Sequence, residues 1–99
     1  MEIELIGEFE ITYDAQTQDL VFHHVIRGFD VAQFQGDAIT ELRDLLQISQ
    51  KRIRNLANYQ LLLGAGGDMT IYTNTGQRAC YLNADQTALL ARILRRELA

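Results

Sequence analysis

No proline occurs in the 99 residues. No helix is therefore stopped by a missing N–H, and proline-based linkers or recognition segments are ruled out; punctuation falls to the glycines. Cysteine is scarce as well. Cys80 alone cannot close an intrachain disulfide, which fits a reducing compartment. Apolar runs are short, Leu61–Leu63 being the most obvious, far below the roughly 18–20 residues that span a bilayer. The start, Met-Glu-Ile-Glu, carries neither the basic n-region nor the apolar h-region of a secretion signal. These features predict a cytoplasmic protein without membrane contact.

What is present is ordinary for a globular chain: 47% hydrophobic and 22% charged residues, enough to exclude disorder as the main state. The length predicts a single domain, residues 1–99, with a thin core that favours burial of further apolar surface by oligomerisation. The net charge of −4 is unevenly spread. Residues 1–50 hold ten carboxylates against Arg27 and Arg43, whereas residues 51–99 hold seven basic side chains against Asp68, Asp85 and Glu97. Two faces of opposite sign suit self-association or a charged partner.

Period-two alternation over residues 3–13 predicts one strand. It places Ile3, Leu5, Gly7, Phe9, Ile11 and Tyr13 on a buried face, and Glu2, Glu4, Ile6, Glu8, Glu10 and Thr12 on a wet one. Gly7 marks a position for a kink or bulge. Residues 20–27 read as a second, central strand, and 29–34 as a short third between Gly28 and Gly36. Pairing Tyr13 with Leu20 would set Glu10 opposite His23.

From Asp37, an expected N-cap, the period changes to that of an amphipathic helix reaching about residue 58. At about 100° per residue its stripe holds Leu45, Ala38, Leu56, Ser49, Leu42, Ile53, Leu46 and Ile39, and Ile48 falls outside. Residues 69–73 and 78–82 read as a hairpin around Asn74-Thr75-Gly76-Gln77. Asn83 with Gln86 is a capping box opening a last helix, whose apolar face is Leu89, Leu90, Ile93, Leu94 and Leu98. The expected fold class is α+β: one antiparallel sheet of four or five strands with two packed helices, in the order ββ(β)αββα. Its two halves are weakly similar, without a residue-level repeat.

Chemistry-bearing patterns are few. Gly64-Ala65-Gly66-Gly67 lacks a following helix and any Gly-Lys-Ser/Thr, so it reads as a turn rather than a phosphate loop. His23 and His24, adjacent on a strand, point to opposite faces and cannot chelate one metal. Cys80 reads as a small buried hydrophobe. The pairs Glu8/Glu10 and Asp30/Asp37 need no role beyond solubility and protection of a sheet edge. Lys51, Arg52, Arg54 and Arg43, with Arg92, Arg95 and Arg96, form basic helix faces without aromatics, in a chain that is acidic overall.

The reading is a small non-catalytic protein-interaction or regulatory module, expected to form a homodimer, with no catalytic, metal or cofactor residues assigned. Its expected interaction residues are Ile48, Leu45, Lys51 and Arg52, together with Glu4, Glu8 and Glu10. A nucleic-acid-binding module using the basic helix faces is the alternative, and an enzyme the third reading.

Overall fold

Phe9, Ile11 and Tyr13 are buried as their alternation predicts, yet Ile3 and Leu5 are 56% and 65% exposed and Ile6 is 1%. The computed structural model, which describes residues 2–48 and 50–98, gives the reason. Residues 3–13 are two strands, β1 (Glu2–Ile6) and β2 (Phe9–Asp14), joined by the two-residue turn Gly7-Glu8. Ile6 pairs directly with Phe9, so both lie on the same face and the inward parity switches from even to odd across the turn. Gly7 takes φ +61, the left-handed geometry that tight hairpins require.

β3 (Asp19–His24) and β4 (Phe29–Gln35) complete an antiparallel sheet of order β1-β2-β3-β4. Tyr13 pairs with Leu20 and Glu10 with His23, as the sequence predicted, and β3 is interior. Helix α1 follows, but only over Asp37–Leu45. Its N-cap is Gly36, not Asp37; Asp37 instead places its charge in the first turn, where the helix dipole favours it. The helix ends in tightened turns, Gln47 N–H donating to Asp44 O at 3.2 Å and Ile48 N–H to Leu45 O at 3.3 Å. The Gln47 amide also donates to Arg43 O at 3.1 Å, satisfying a terminal carbonyl.

Arg52–Leu56, expected as the helix's second half, is instead β5, paired with β6 (Tyr59–Leu63). Ser49 of the expected stripe lies outside the described residues. β7 (Met69–Thr73) and β8 (Arg78–Leu82) occupy the predicted spans and complete a second sheet, β5-β6-β7-β8. Helix α2 (Ala84–Glu97) opens with the expected capping box. Gln86 N–H donates to Asn83 Oδ1 at 2.9 Å, and Asn83 N–H to Gln86 Oε1 at 3.0 Å. The fold class is thus α+β, but with two four-stranded sheets in the order ββββαββββα rather than one sheet.

The two halves do repeat, residue by residue. Buried Ile6, Ile11, Leu20, Phe22, Ala32, Phe34, Leu42 and Leu45 correspond to buried Leu56, Leu61, Met69, Ile71, Cys80, Leu82, Leu90 and Ile93. Six of the seven positive-φ residues correspond too, Gly7 with Ala57, Gln18 with Gly67 and Gly28 with Gly76, with Gly36 alone unmatched among the described residues. Even the ladder irregularity at Phe22/His23 recurs at Ile71/Tyr72. Two loops, each one residue shorter in the second half, shift the register between equivalents and hide the repeat from a fixed-period comparison.

The halves are packed together reciprocally. α1 lies against β4 and the other half's β5, α2 against β8 and the other half's β1, the helices touch, and β4 runs beside β8 without a ladder. One apolar cluster draws on both halves, from Phe22 and Phe34 to Leu82, Leu90 and Leu94. Arg43 Nη1 donates to Leu98 O at 3.0 Å, tying α1 to the end of α2.

Candidate interaction surfaces

β1 and β5 are sheet edges, each hydrogen-bonded to one neighbour only. They are equivalent strands in the repeat, and their charges are inverted: Glu2-Ile3-Glu4 in β1 against Arg52-Ile53-Arg54 in β5. Ile3 and Ile53 (62% exposed) lie on the outer faces of their sheets, opposite buried Ile6 and Leu56. Glu2 and Glu4 share the side of Ile6, partly covered, and Glu2 Oε1 accepts from Arg96 Nη2 at 2.8 Å on α2. Arg52 Nη2 donates to Gln50 Oε1 at 3.2 Å, and Arg54 is exposed.

The other residues singled out in the sequence are dispersed. Glu10 faces outward between Leu5 and His23, on the opposite side of the sheet from Glu4. Glu8 sits in the first turn, so the glutamates do not form one ladder. Leu45 is 7% exposed, a core residue rather than the rim of an interface. Ile48 (43% exposed) and exposed Lys51 lie in the connection to β5, not on a helix. Lys51, Arg52 and Arg54 therefore contribute to no basic helix face, contrary to the sequence expectation; Arg92 and Arg95 remain exposed on α2.

A groove of about 580 Å³ opens between the halves, where the β1–β2 and β3–β4 turns of the first meet β8 and the start of α2. Phe9, Ala79 and Cys80 line its apolar part; Glu8, His24, Arg27, Arg78, Tyr81 and Gln86 supply the polar part. Val25 N–H donates to Glu8 O at 3.0 Å and fastens the two turns together. Arg27 N–H donates to His24 Nδ1 at 3.1 Å, so the neutral imidazole carries its proton on Nε2, which faces Glu8 Oε2 at 3.2 Å. The Phe9 ring meets the imidazole edge-on at 5.1 Å. At this groove, Ile26 (76% exposed) adds an apolar side chain to the lining, and exposed Val25 and Phe29 flank it at the β3–β4 turn. His23, on the opposite face of β3, lies 2.8 Å from Asp30 Oδ1 through Nδ1.

Cys80 is 2% exposed, and burial pushes its thiol up to about 12. A nucleophilic cysteine needs the opposite shift. The Tyr81 hydroxyl is also held above its usual value, by desolvation first and then by the nearby Asp68 carboxylate, 3.3 Å away. The folded protein retains the Cys80 proton well above pH 9, the ordinary thiol value, whereas the unfolded chain releases it there. The Cys80 contribution to stability is therefore complete below that pH and is lost as pH rises, at up to about 1.4 kcal/mol per unit. Relative to Cys80→Ala, the wild type should lose stability more steeply in urea titrations above pH 9. Its thiol should react with an aromatic disulfide reagent only at the rate of global opening. Rapid native-state labelling, or identical alkaline slopes, would contradict this placement.

Among the described residues no three His, Cys, Asp or Glu side chains gather to hold a metal ion, and no helix is long and apolar enough to cross a membrane. Gly64–Gly67 is a turn between β6 and β7, Gly64 N–H donating to Asp68 O and Gly67 N–H to Gly64 O. Comparison with protein-family models, curated proteins and solved structures found no significant match.

The sequence reading missed two features. The groove combines residues far apart in the chain, and no local motif marks it. The inverted edge strands were visible as Glu-Ile-Glu and Arg-Ile-Arg fifty residues apart, but the second was assigned to a helix.

Proposed function

We propose that the protein is a small non-catalytic interaction module that self-associates through its sheet edges, β1 of one copy pairing with β5 of another. The observation that carries this is the charge inversion on equivalent free edges. An antiparallel pairing that sets Ile3 opposite Ile53 brings Glu2 opposite Arg54 and Glu4 opposite Arg52. Opposite charges in directly facing positions each stabilise a sheet by about 0.2–1 kcal/mol, and like charges destabilise it. β1 against β1 would confront carboxylates with carboxylates, so the same pattern disfavours the wrong pairing. Where both edges engage the same partner, the contact closes as a two-fold homodimer rather than an open filament. Ile48 and Lys51, immediately before β5, flank the contact.

Sedimentation velocity at low ionic strength tests this reading. The wild type should sediment as a dimer that weakens with salt. Arg52→Glu with Arg54→Glu should raise the dissociation constant by at least about tenfold, the equivalent of about 1.4 kcal/mol. Adding Glu2→Arg and Glu4→Arg to that variant should restore the dimer, with far-UV circular dichroism unchanged throughout. Loss of the Glu2–Arg96 contact is a small effect for so exposed a pair. A wild type that is monomeric at all concentrations, or a charge-reversed variant that dimerises as before, removes the proposal.

A further inference from the structure

We propose that the groove between the halves is a binding site for a small organic carboxylate carried on an apolar body. The argument starts from the position where the repeat is broken. Tyr59 begins β6 as Phe9 begins β2. The Tyr59 hydroxyl accepts a hydrogen bond from Gln33 N–H at 3.0 Å, supplying an oxygen to the free edge of β4. The equivalent of Gln33 is Tyr81, on the free edge of β8, and the equivalent of Tyr59 is Phe9, which has no hydroxyl. Where the first contact has an acceptor oxygen, the second has the 580 Å³ groove; the pocket at the other hairpin end, beside Tyr59, holds about 360 Å³. An edge N–H with no such hydroxyl beside it is a place where a ligand can bring the acceptor oxygen.

The charges indicate which acceptor. Arg27 and Arg78 line the groove from opposite halves, and neither forms an ion pair among the described residues. Glu8, the one carboxylate among the described residues that line the groove, is turned to His24 Nε2. Two guanidinium forks and an N–H match the lone pairs of a carboxylate, while Phe9, Ala79 and Cys80 receive the apolar body. The volume falls in the range of small-molecule sites, about 300–1,000 Å³. This inference does not rest on self-association, since none of these side chains belongs to the β1 or β5 edge.

Phenylacetate is a suitable probe, titrated while the Tyr81 amide is followed by NMR, with phenylacetamide as its neutral counterpart. Saturable shifts should appear for the acid, and binding of the amide should be at least about tenfold weaker, the usual consequence of losing a charged hydrogen bond. Arg78→Gln, an exposed substitution outside the core, should weaken phenylacetate by a similar factor. Phe9→Tyr should abolish binding by placing a hydroxyl on the β8 edge as Tyr59 does on β4. Equal binding of acid and amide, undiminished binding in Arg78→Gln, or no saturable shift with the acid would overturn the assignment. If Phe9→Tyr fails to fold, the arginine variant and the amide decide it alone.

Discussion

Truncation of Phe34 to alanine should lower stability by about 3–5 kcal/mol, a large share of the roughly 5–15 kcal/mol that holds a domain of this kind together. Phe34 is 0% exposed and stands where the halves meet. Its ring contacts Phe22 edge-on at 6.0 Å within its own sheet and Tyr59 of the other sheet at 5.1 Å. Removing it deletes both aromatic contacts and leaves a void that close-packed neighbours cannot fill. Urea midpoints and thermal melts measure the cost, and a fall in Tm of at least about 12 °C is expected at this chain length. Phe29→Ala, on a residue 50% exposed at the β3–β4 turn, is the control and should stay within about 0.5 kcal/mol. A Phe34→Ala variant as mild as that control would show that the junction is not a packed core.

The last hairpin and helix, residues 69–97, were the most legible part of the chain, for local reasons. Asn83 and Gln86 cap α2 through contacts three residues apart, and the β7–β8 hairpin is closed by its own turn, so both depend on neighbouring residues only. The first hairpin depends on local chemistry too, but Gly7-Glu8 continues the alternation of β1 and β2 without interruption. Only pairing geometry distinguishes a two-residue turn from an extended strand there. The helix past residue 45 failed differently. Leu46, Ile53 and Leu56 continue the spacing of Ile39 and Leu42, with no glycine or proline to stop them. What overrides that spacing is pairing of β5 with β6, a tertiary contact invisible to periodicity. The groove lay beyond reach for a related reason: Arg27 and Arg78 are brought together by the packing of one half on the other.

That packing leads to the last expectation, that neither half folds alone but the two together do. Each helix covers the first strand of the opposite half, α1 on β5 and α2 on β1, so cutting the chain at the 46–51 connection exposes both faces at once. A half of roughly 50 residues buries too little apolar surface to offset its conformational entropy. Separate peptides 1–48 and 50–99 should therefore give weak, non-cooperative circular dichroism. When mixed, they should recover the spectrum of the intact chain, with a melting temperature that rises with concentration. Opposite net charges on the two pieces should speed their encounter at low salt. The equivalence of the halves makes a sharper demand, because a fold built as a pseudo-dimer could form from two copies of one half. Charge opposes this in both cases. Two copies of the first half would bring together two acidic surfaces and lose the Glu2–Arg96 contact, since Arg96 belongs to the second. Titration of either peptide alone should produce no cooperative melt, whereas the equimolar mixture should. A folded homodimer of one fragment, or a mixture that stays unfolded, would show that the shared core does not couple the halves as their packing implies.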